Sequence, residues 1–256
     1  MQCILTHPEL KDLEIGSKDW FAAQQAMIRS KPLVKRCYDL WYRKLLDDAD
    51  SVPSAGTIVE LGSGSSYVKQ LRPDVVTSDC APGIADMVID GRSLPFPDAS
   101  VRAILLTHVF HHIPDVGLFL EEASRVLVPG GVVSMVDETH TPFAKFFFSK
   151  IHPEPYDDRT ESWTFPQTDS MLDSNQALSW IVFFRDRERF ASRFPRLKME
   201  RREYLPWFSY LMSGGVNLRS FAPGFAAPLF VLLDRALSPL DGLFAIHWHI
   251  TIRKTG

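Results

Sequence analysis

Apolar positions recur at helical spacing early in the chain and form short continuous runs further on. Between residues 17 and 50 the spacing predicts helix. Ser17 is placed to cap a first helix carrying Trp20, Phe21, Met27 and Ile28. Pro32 suits the first turn of a second helix, because its missing N–H is not needed there. Along that helix Val34, Cys37, Tyr38, Trp41 and Leu45 fall on one face. The plain reading is that this face packs on the main body of the protein; the sharper one is that the two helices also cover an active site. Residues 51–56 are turn chemistry. Apolar strands are then expected at 57–61, 75–78, 86–89, 101–106 and 132–136, as runs suited to a parallel sheet buried on both faces. A helix at about 115–127 separates the last two and is expected to stop at Pro129-Gly130-Gly131. Alternating strand and helix is the pattern of a doubly wound α/β fold.

Past Thr139 the character changes. Residues 141–195 are aromatic, contain proline and read as irregular, 197–204 as a sixth strand, and 244–252 as a last one after a Pro/Gly-rich helical region. No internal repeat or second independent domain is evident. The expected organisation is one domain over 1–256: N-terminal helices in 1–52, a cofactor-binding core in 53–140, and a substrate-side insertion with the last two strands in 141–256.

Composition narrows the class. With 256 residues, 45% hydrophobic and 23% charged, the chain reads as globular. A net charge of -3 disfavours a general nucleic-acid binder, so no nucleic-acid partner is expected. Cys3, Cys37 and Cys80 match no disulfide or zinc framework and read as reduced thiols. Residues 1–8 lack the marks of a signal peptide, and the longest apolar stretch, 221–233, holds two prolines. A cytoplasmic location is expected, with peripheral membrane contact as a further expectation.

The central chemical signal is Val59-Glu60-Leu61-Gly62-Ser63-Gly64-Ser65-Ser66. A strand ends in an acid and enters a glycine-rich turn, where the lack of side chains lets a ligand approach the backbone. Alone this is a weak signal, compatible with a plain turn or a dinucleotide site. A second strand ends at Asp79, about 20 residues later, where a carboxylate can accept from both hydroxyls of a ribose.

Taken together, four segments resemble class I S-adenosylmethionine-dependent methyltransferases, of the methyltransferase type 11-like kind. Glu60-Leu61-Gly62-Ser63-Gly64 is similar to the family's first motif. Asp90-Gly91-Arg92-Ser93-Leu94-Pro95-Phe96 resembles its adenine-binding segment. Leu106-Thr107-His108-Val109-Phe110-His111-His112-Ile113 looks like the motif after strand four, and Arg125-Val126-Leu127-Val128-Pro129-Gly130-Gly131 like the turn before strand five. The resemblance implies a Rossmann-like, seven-stranded, mostly parallel sheet with helices on both faces, an N-terminal helical cap and a substrate-covering insertion before strand six. It implies S-adenosyl-L-methionine as cofactor and S-adenosyl-L-homocysteine as product. By position, Gly62, Ser63 and Gly64 would line the methionine and ribose portion, and Glu60 would orient the turn or meet the methionine amino group. Asp79 would hold the ribose, and Asp90, with Gly91 and Arg92, the adenine. Thr107 and His108 would lie near the methionine end. Two features depart from the family: Ser66 stands where a third glycine is common, and only residues 80–85 separate Asp79 from the next strand, too few for the usual crossover helix.

Active sites of such sheets lie at the carboxyl ends of the strands. That places His108, His111, His112, Asp137, Glu138 and His140 near the reacting centre. The catalytic candidates are His111, His112, Asp137 and Glu138, one of which would serve as base for an oxygen nucleophile; capping and buried structural hydrogen bonds are the alternative role. Adjacent residues on a helix do not share a face, so His111 and His112 are not expected to reach the substrate together. No residue spacing supports a metal. The whole chain is also similar to a bacterial subgroup marked here by His152-Pro153-Glu154-Pro155-Tyr156, Trp180-Ile181-Val182-Phe183 and Ser213-Gly214-Gly215-Val216. This points to a small-molecule, sugar or lipid-linked hydroxyl acceptor. Aromatic residues of 141–256 and the basic run Arg185, Arg187, Arg189, Arg193, Arg196, Lys198, Arg201 and Arg202 would serve an apolar or anionic acceptor; ordinary core and a solvated face are the alternatives. Methylation at nitrogen, sulfur or carbon, a non-catalytic cofactor-binding protein and a nicotinamide dehydrogenase are the rival functions.

Overall fold

The computed structural model describes residues 7–168 and 173–256; Cys3 lies outside them, while Cys37 is buried, Cys80 exposed, and both are free thiols. Seven strands form one sheet: β1 (Thr57–Leu61), β2 (Val76–Asp79), β3 (Met87–Val88), β4 (Val101–Thr107), β5 (Leu127–Glu138), β6 (Leu197–Tyr204) and β7 (His247–Lys254). Their order is β3-β2-β1-β4-β5-β7-β6. The first five run parallel and β7 inserts antiparallel between β5 and β6. The expected seven-stranded, mostly parallel α/β sheet is thus present.

Side-chain alternation along the strands builds the two layers. Val59, Leu61, Ile104, Leu106, Val133 and Met135 face α3 (Val116–Val126) and a later helical stretch holding Ile181, Phe183 and Phe190. The intervening residues Ile58, Ala103, Leu105, Val132 and Val136 face α2 (Pro32–Asp50) through Val34, Trp41 and Leu45. α1 (Lys18–Ser30) starts where Ser17 Oγ accepts from Trp20 N at 3.2 Å, and α3 where Asp115 caps Leu118 N. Both starts follow from the sequence.

Alternation on β7 is apolar against polar. Trp248, Ile250 and Ile252 belong to the α3-side core, while His249 and Thr251 meet Asp48 of α2. Asp48 Oδ2 accepts from Ser134 Oγ (2.7 Å) and Thr251 Oγ1 (2.6 Å) and lies 2.9 Å from His249 Nε2. Oδ1 accepts from Arg201 at 3.1 Å, and His249 Nδ1 lies 2.9 Å from Glu203. One carboxylate therefore ties α2 to β5, β6 and β7.

Two expectations change, and a third is met. β5 does not begin at 132 but runs through Pro129-Gly130-Gly131, with Leu127 already paired to Val101 of β4; the register shift between Val101 and Ala103 accommodates the left-handed Gly130. Residues 141–195 are less irregular than expected: Thr141 caps α4 (Pro142–Lys150), and Leu178–Trp180 continues as a π-helical turn into Arg187–Arg193. The link from β2 to β3 is a turn with no helix, as its length required, and β3 has two exposed residues.

Candidate active site

The glycine turn is clamped before any ligand is considered. Ser63 N–H donates to Ser78 O (2.8 Å), Ser63 Oγ donates to Glu60 O (3.1 Å), and Ser78 N–H donates to Ser63 Oγ (3.1 Å). The polar groups of Ser63, a residue expected to line the cofactor, lock β1 to β2 and position the turn. Gly62 and Gly64 have φ of +60° and +45°, a region that favours glycine. A Cβ on Gly62 would come within 2.5 Å of Val109, and one on Gly64 within 2.9 Å of the Phe21 ring. Ser66, in place of the third glycine, takes the left-handed conformation itself at φ +51°. Phe21, with Gln25 donating to Ser65 O at 2.7 Å, brings α1 over the turn. These N-terminal residues were not among the predicted site residues, although the covering role of the helices was one of two readings.

Asp79 is 7% exposed. Its Oδ2 accepts from Gly64 N–H and its Oδ1 from Ala81 N–H, both at 3.1 Å. A carboxylate has about four acceptor sites, so capacity for a diol remains. Asp90 is different. Arg92 forks onto it, with Nε at 2.9 Å from Oδ1 and Nη2 at 2.7 Å from Oδ2, and the Arg92 N–H caps Oδ1 at 2.9 Å. An adenine amino group reaching Asp90 has to share it with that guanidinium. Gly91 lies near Ile113 and Leu61, an apolar neighbourhood suited to a ring.

At the other end of the turn lie acceptors without partners. Tyr42 Oη donates to Glu60 Oε1 at 2.6 Å, but Glu60 Oε2, Thr107 Oγ1 and His108 Nε2 are buried with no hydrogen-bond partner among the described residues. Burying such groups unpaired is costly. A methionine ammonium offers three donors to this set, so the residues fit the cofactor. Burial, which Tyr42 and Ser63 only partly offset, pushes the Glu60 carboxyl up to about 7. A folded state that holds a proton more tightly than the unfolded chain loses stability as pH rises between the two pKa values. Against wild type, Glu60→Gln is expected to be near neutral at pH 5 and stabilising at pH 8, by up to about 3 kcal/mol. Urea unfolding of the cofactor-free protein at both pH values checks this, and a difference independent of pH would contradict it.

Beyond Thr107 the chain turns through His108, whose φ of +57° is unusual for a non-glycine residue. Its Nδ1 lies 2.8 Å from Glu138 Oε1, and its ring meets His247 edge-on at 4.6 Å. His111 is buried between two carboxylates, with Nδ1 2.7 Å from Asp137 Oδ1 and 2.6 Å from Glu138 Oε2. Burial alone would lower the His111 ring, but the charges of Glu138 and Asp137 hold it well above the usual histidine value. His112 behaves oppositely: burial and the His111 charge press it down to about 4. The two rings are not splayed apart as residues on an α-helix would be. Phe110–His112 is a 3-10 turn, the rings lie 4.3 Å apart, and both reach toward Glu154. His140 stands aside, stacked on Trp180 at 3.7 Å and bonded to Tyr156 Oη at 2.5 Å. The structure thus gathers all four catalytic candidates with His108. It adds His247 and Glu154, which sequence reasoning missed; Glu154 stands in a motif that had been singled out, but without a role.

Residues 61–135 match the sequence model of a family described as "Methyltransferase domain". Among solved structures, geranyl diphosphate C-methyltransferase from Streptomyces coelicolor A3(2), in complex with Mg2+, geranyl-S-thiolodiphosphate and S-adenosyl-L-homocysteine, is similar in fold. It is 16% identical, with a TM-score of 0.50 over 98% of this chain and 85% of that one. A putative methyltransferase in complex with the Trm112 activator of Haloferax volcanii is 17% identical, with a TM-score of 0.49 over 91% and 97% of the two chains. A putative S-adenosylmethionine dependent methyltransferase from Listeria monocytogenes is 9% identical, with a TM-score of 0.48 over 84% and 96%. Residues 61–135 thus carry a methyltransferase domain, of the class I S-adenosylmethionine-dependent kind. The protein is an enzyme of that kind, and S-adenosylmethionine is its cofactor.

Proposed function

We propose that the protein moves the methyl group of S-adenosylmethionine to a hydroxyl oxygen of a small-molecule acceptor. One observation carries this reading: the cofactor cradle ends directly beside a buried cluster of histidines and carboxylates at the carboxyl ends of β4 and β5. Methyl transfer is an in-line displacement in which the cofactor supplies the reactive group. The chain's part is to hold the two reactants in line and to accept the proton that the hydroxyl loses. Glu60 and Thr107 take the methionine end, Asp79 the ribose, and Asp90 the adenine edge. Asp137 and Glu138 fix the His111 ring, and His112 is the neutral member beside them.

A lipid-linked acceptor, met at a membrane surface, is a second reading favoured by one feature. Helix α5 (Ala227–Leu237) has no buried residue, and Phe225, Leu229 and Leu232 are 88%, 54% and 61% exposed. Patches of this kind mark interaction surfaces. The basic run gives less support, since Arg185 pairs with Asp186, Arg193 with Glu121 and Arg201 with Asp48, while Arg189 and Arg202 lie over Trp163 and Phe184. Among the described residues no helix is long and apolar enough to cross a membrane.

The test is methyl transfer from labelled S-adenosylmethionine to a panel of sugars and hydroxylated metabolites, with amine, thiol and activated-carbon acceptors in parallel. Each is run with and without anionic vesicles carrying a polyprenyl-linked glycan. Label confined to oxygen acceptors is the expected result, and vesicle dependence would assign the lipid-linked class. Label found only on nitrogen, sulfur or carbon would overturn the oxygen assignment.

A further inference from the structure

Three side chains of the cluster converge on one carboxylate oxygen. His111 Nε2 and His112 Nε2 lie 3.6 and 3.5 Å from the same atom, Glu154 Oε2. The opposite nitrogen of each ring faces an acceptor. His111 Nδ1 faces Asp137 and Glu138, and His112 Nδ1 faces the main-chain oxygen of Asp173 at 3.1 Å. Each Nδ1 therefore carries a proton and points away from Glu154, which leaves Nε2 as the atom of each ring that a cation can reach in place of a proton. Glu154 Oε2 is itself an acceptor and already takes an N–H from Gln176. The separations of 3.5 and 3.6 Å exceed the usual N–H···O range of about 2.7–3.2 Å. They lie close to the spacing of about 3.4 Å expected between two ligands of one tetrahedral zinc ion, each about 2.0–2.1 Å from it.

A buried amide with an unused acceptor stands beside the same carboxylate. Gln176 is 1% exposed; its amide nitrogen reaches Glu154, and its Oε1 is buried without a hydrogen-bond partner. Two other groupings of this cluster bring potential ligand atoms together: His108 with Glu138 and His247, and His111 with Asp137 and Glu138. In each, one nitrogen is already hydrogen-bonded to a carboxylate oxygen, His108 Nδ1 to Glu138 Oε1 at 2.8 Å and His111 Nδ1 to Asp137 Oδ1 at 2.7 Å, which leaves those atoms less free to take an ion.

We propose that His111 Nε2, His112 Nε2 and Glu154 bind one divalent transition-metal ion of the zinc class. Two histidines and a glutamate are a donor set of zinc sites that keep an open position. Asp137 and Glu138, on the far nitrogen of His111, are the outer carboxylates that orient such a ligand and raise its basicity. Spacing in the sequence gave no hint of this, because Glu154 is brought to the two histidines only by the fold of the segment after α4. That an acceptor hydroxyl would occupy the open position rests on the function proposed above; metal binding itself does not.

The test uses the full chain stripped with a chelator and titrated with zinc chloride by calorimetry, and with cobalt chloride by visible absorption. One equivalent of each is expected to bind, with the cobalt spectrum reporting tetrahedral or five-coordinate geometry. Glu154→Gln and His112→Ala should each weaken zinc binding by at least about tenfold, while S-adenosylhomocysteine binding, measured on the same samples, shows that the variants are folded. His247→Asn should leave zinc binding in place. No zinc binding by wild type, unchanged affinity in both ligand variants, or loss in His247→Asn alone would overturn the assignment. None of these readouts uses an acceptor, so failure of the methyl-transfer assay is separable from failure here.

Discussion

Replacing Asp48 with alanine is expected to cost the fold about 3–5 kcal/mol and to lower Tm by roughly 10 °C. The carboxylate is buried and receives hydroxyls from Ser134 and Thr251, with His249 and Arg201 completing its shell. Arg201 is half-exposed and Ser134 and His249 still face each other at 3.0 Å, but alanine removes the acceptor that the buried Ser134, Thr251 and His249 share, and polar groups left buried without a partner carry the full desolvation penalty. Asp48→Asn keeps the shape and one acceptor oxygen, so its cost should be smaller. Burial would raise the Asp48 pKa, but hydrogen bonds from His249, Thr251 and Ser134 outweigh it and hold the carboxyl below its ordinary 3.8. A depressed carboxylate contributes stability that is complete above its unfolded pKa and is lost as pH falls through the folded value. The gap between wild type and Asp48→Ala should therefore stay constant from neutral pH down to about 5 and narrow as pH falls below 3.8. Urea unfolding across that range measures it; a variant within 1 kcal/mol of wild type at pH 7 would show that the network adds no net stability.

This network also shows where sequence reading stops. Helix starts at Ser17 and Asp115, the strand at 57–61, and the glycine turn were legible because each is written in adjacent residues. The His249–Asp48 contact joins positions 201 residues apart, and nothing local to Asp48 separates it from a surface acid near a helix end. Glu154 and the His111–His112 pair stand in the same relation. The histidines were legible as site residues from their motif, but their convergence depends on a 3-10 turn, where an α-helical reading would have separated the rings. Pro129-Gly130-Gly131 misled in the opposite direction. It reads as a stop, but α3 ends at Val126 and β5 begins at Leu127, so the three residues lie inside the strand, with Gly130 left-handed. The missing crossover helix after Asp79 was legible, since the count of residues alone forbade it.

Asp79→Ala is expected to weaken S-adenosylmethionine and S-adenosylhomocysteine binding by roughly 100- to 1000-fold, since two charge-assisted hydrogen bonds to a ribose diol are each worth about 1.5–3 kcal/mol. The structure supplies a competing explanation for any loss. Asp79 also accepts from Gly64 N–H and so helps hold the glycine turn, and removing it could damage the cradle without any ribose contact. The two roles separate when the ligand is changed together with the protein. An S-adenosylhomocysteine analogue lacking the ribose 2′-hydroxyl should bind wild type more weakly than the parent ligand does. Asp79→Ala should no longer distinguish the two, because the group that reads the hydroxyl is gone. If Asp79 only braces the turn, the variant would bind both ligands poorly but keep the full wild-type preference between them. Asp79→Asn adds a further check: an asparagine oxygen can still accept from Gly64, so bracing alone predicts near-normal affinity. A ribose contact predicts a loss that persists after the turn is repaired, because the charge that strengthens the hydrogen bonds to the diol is absent.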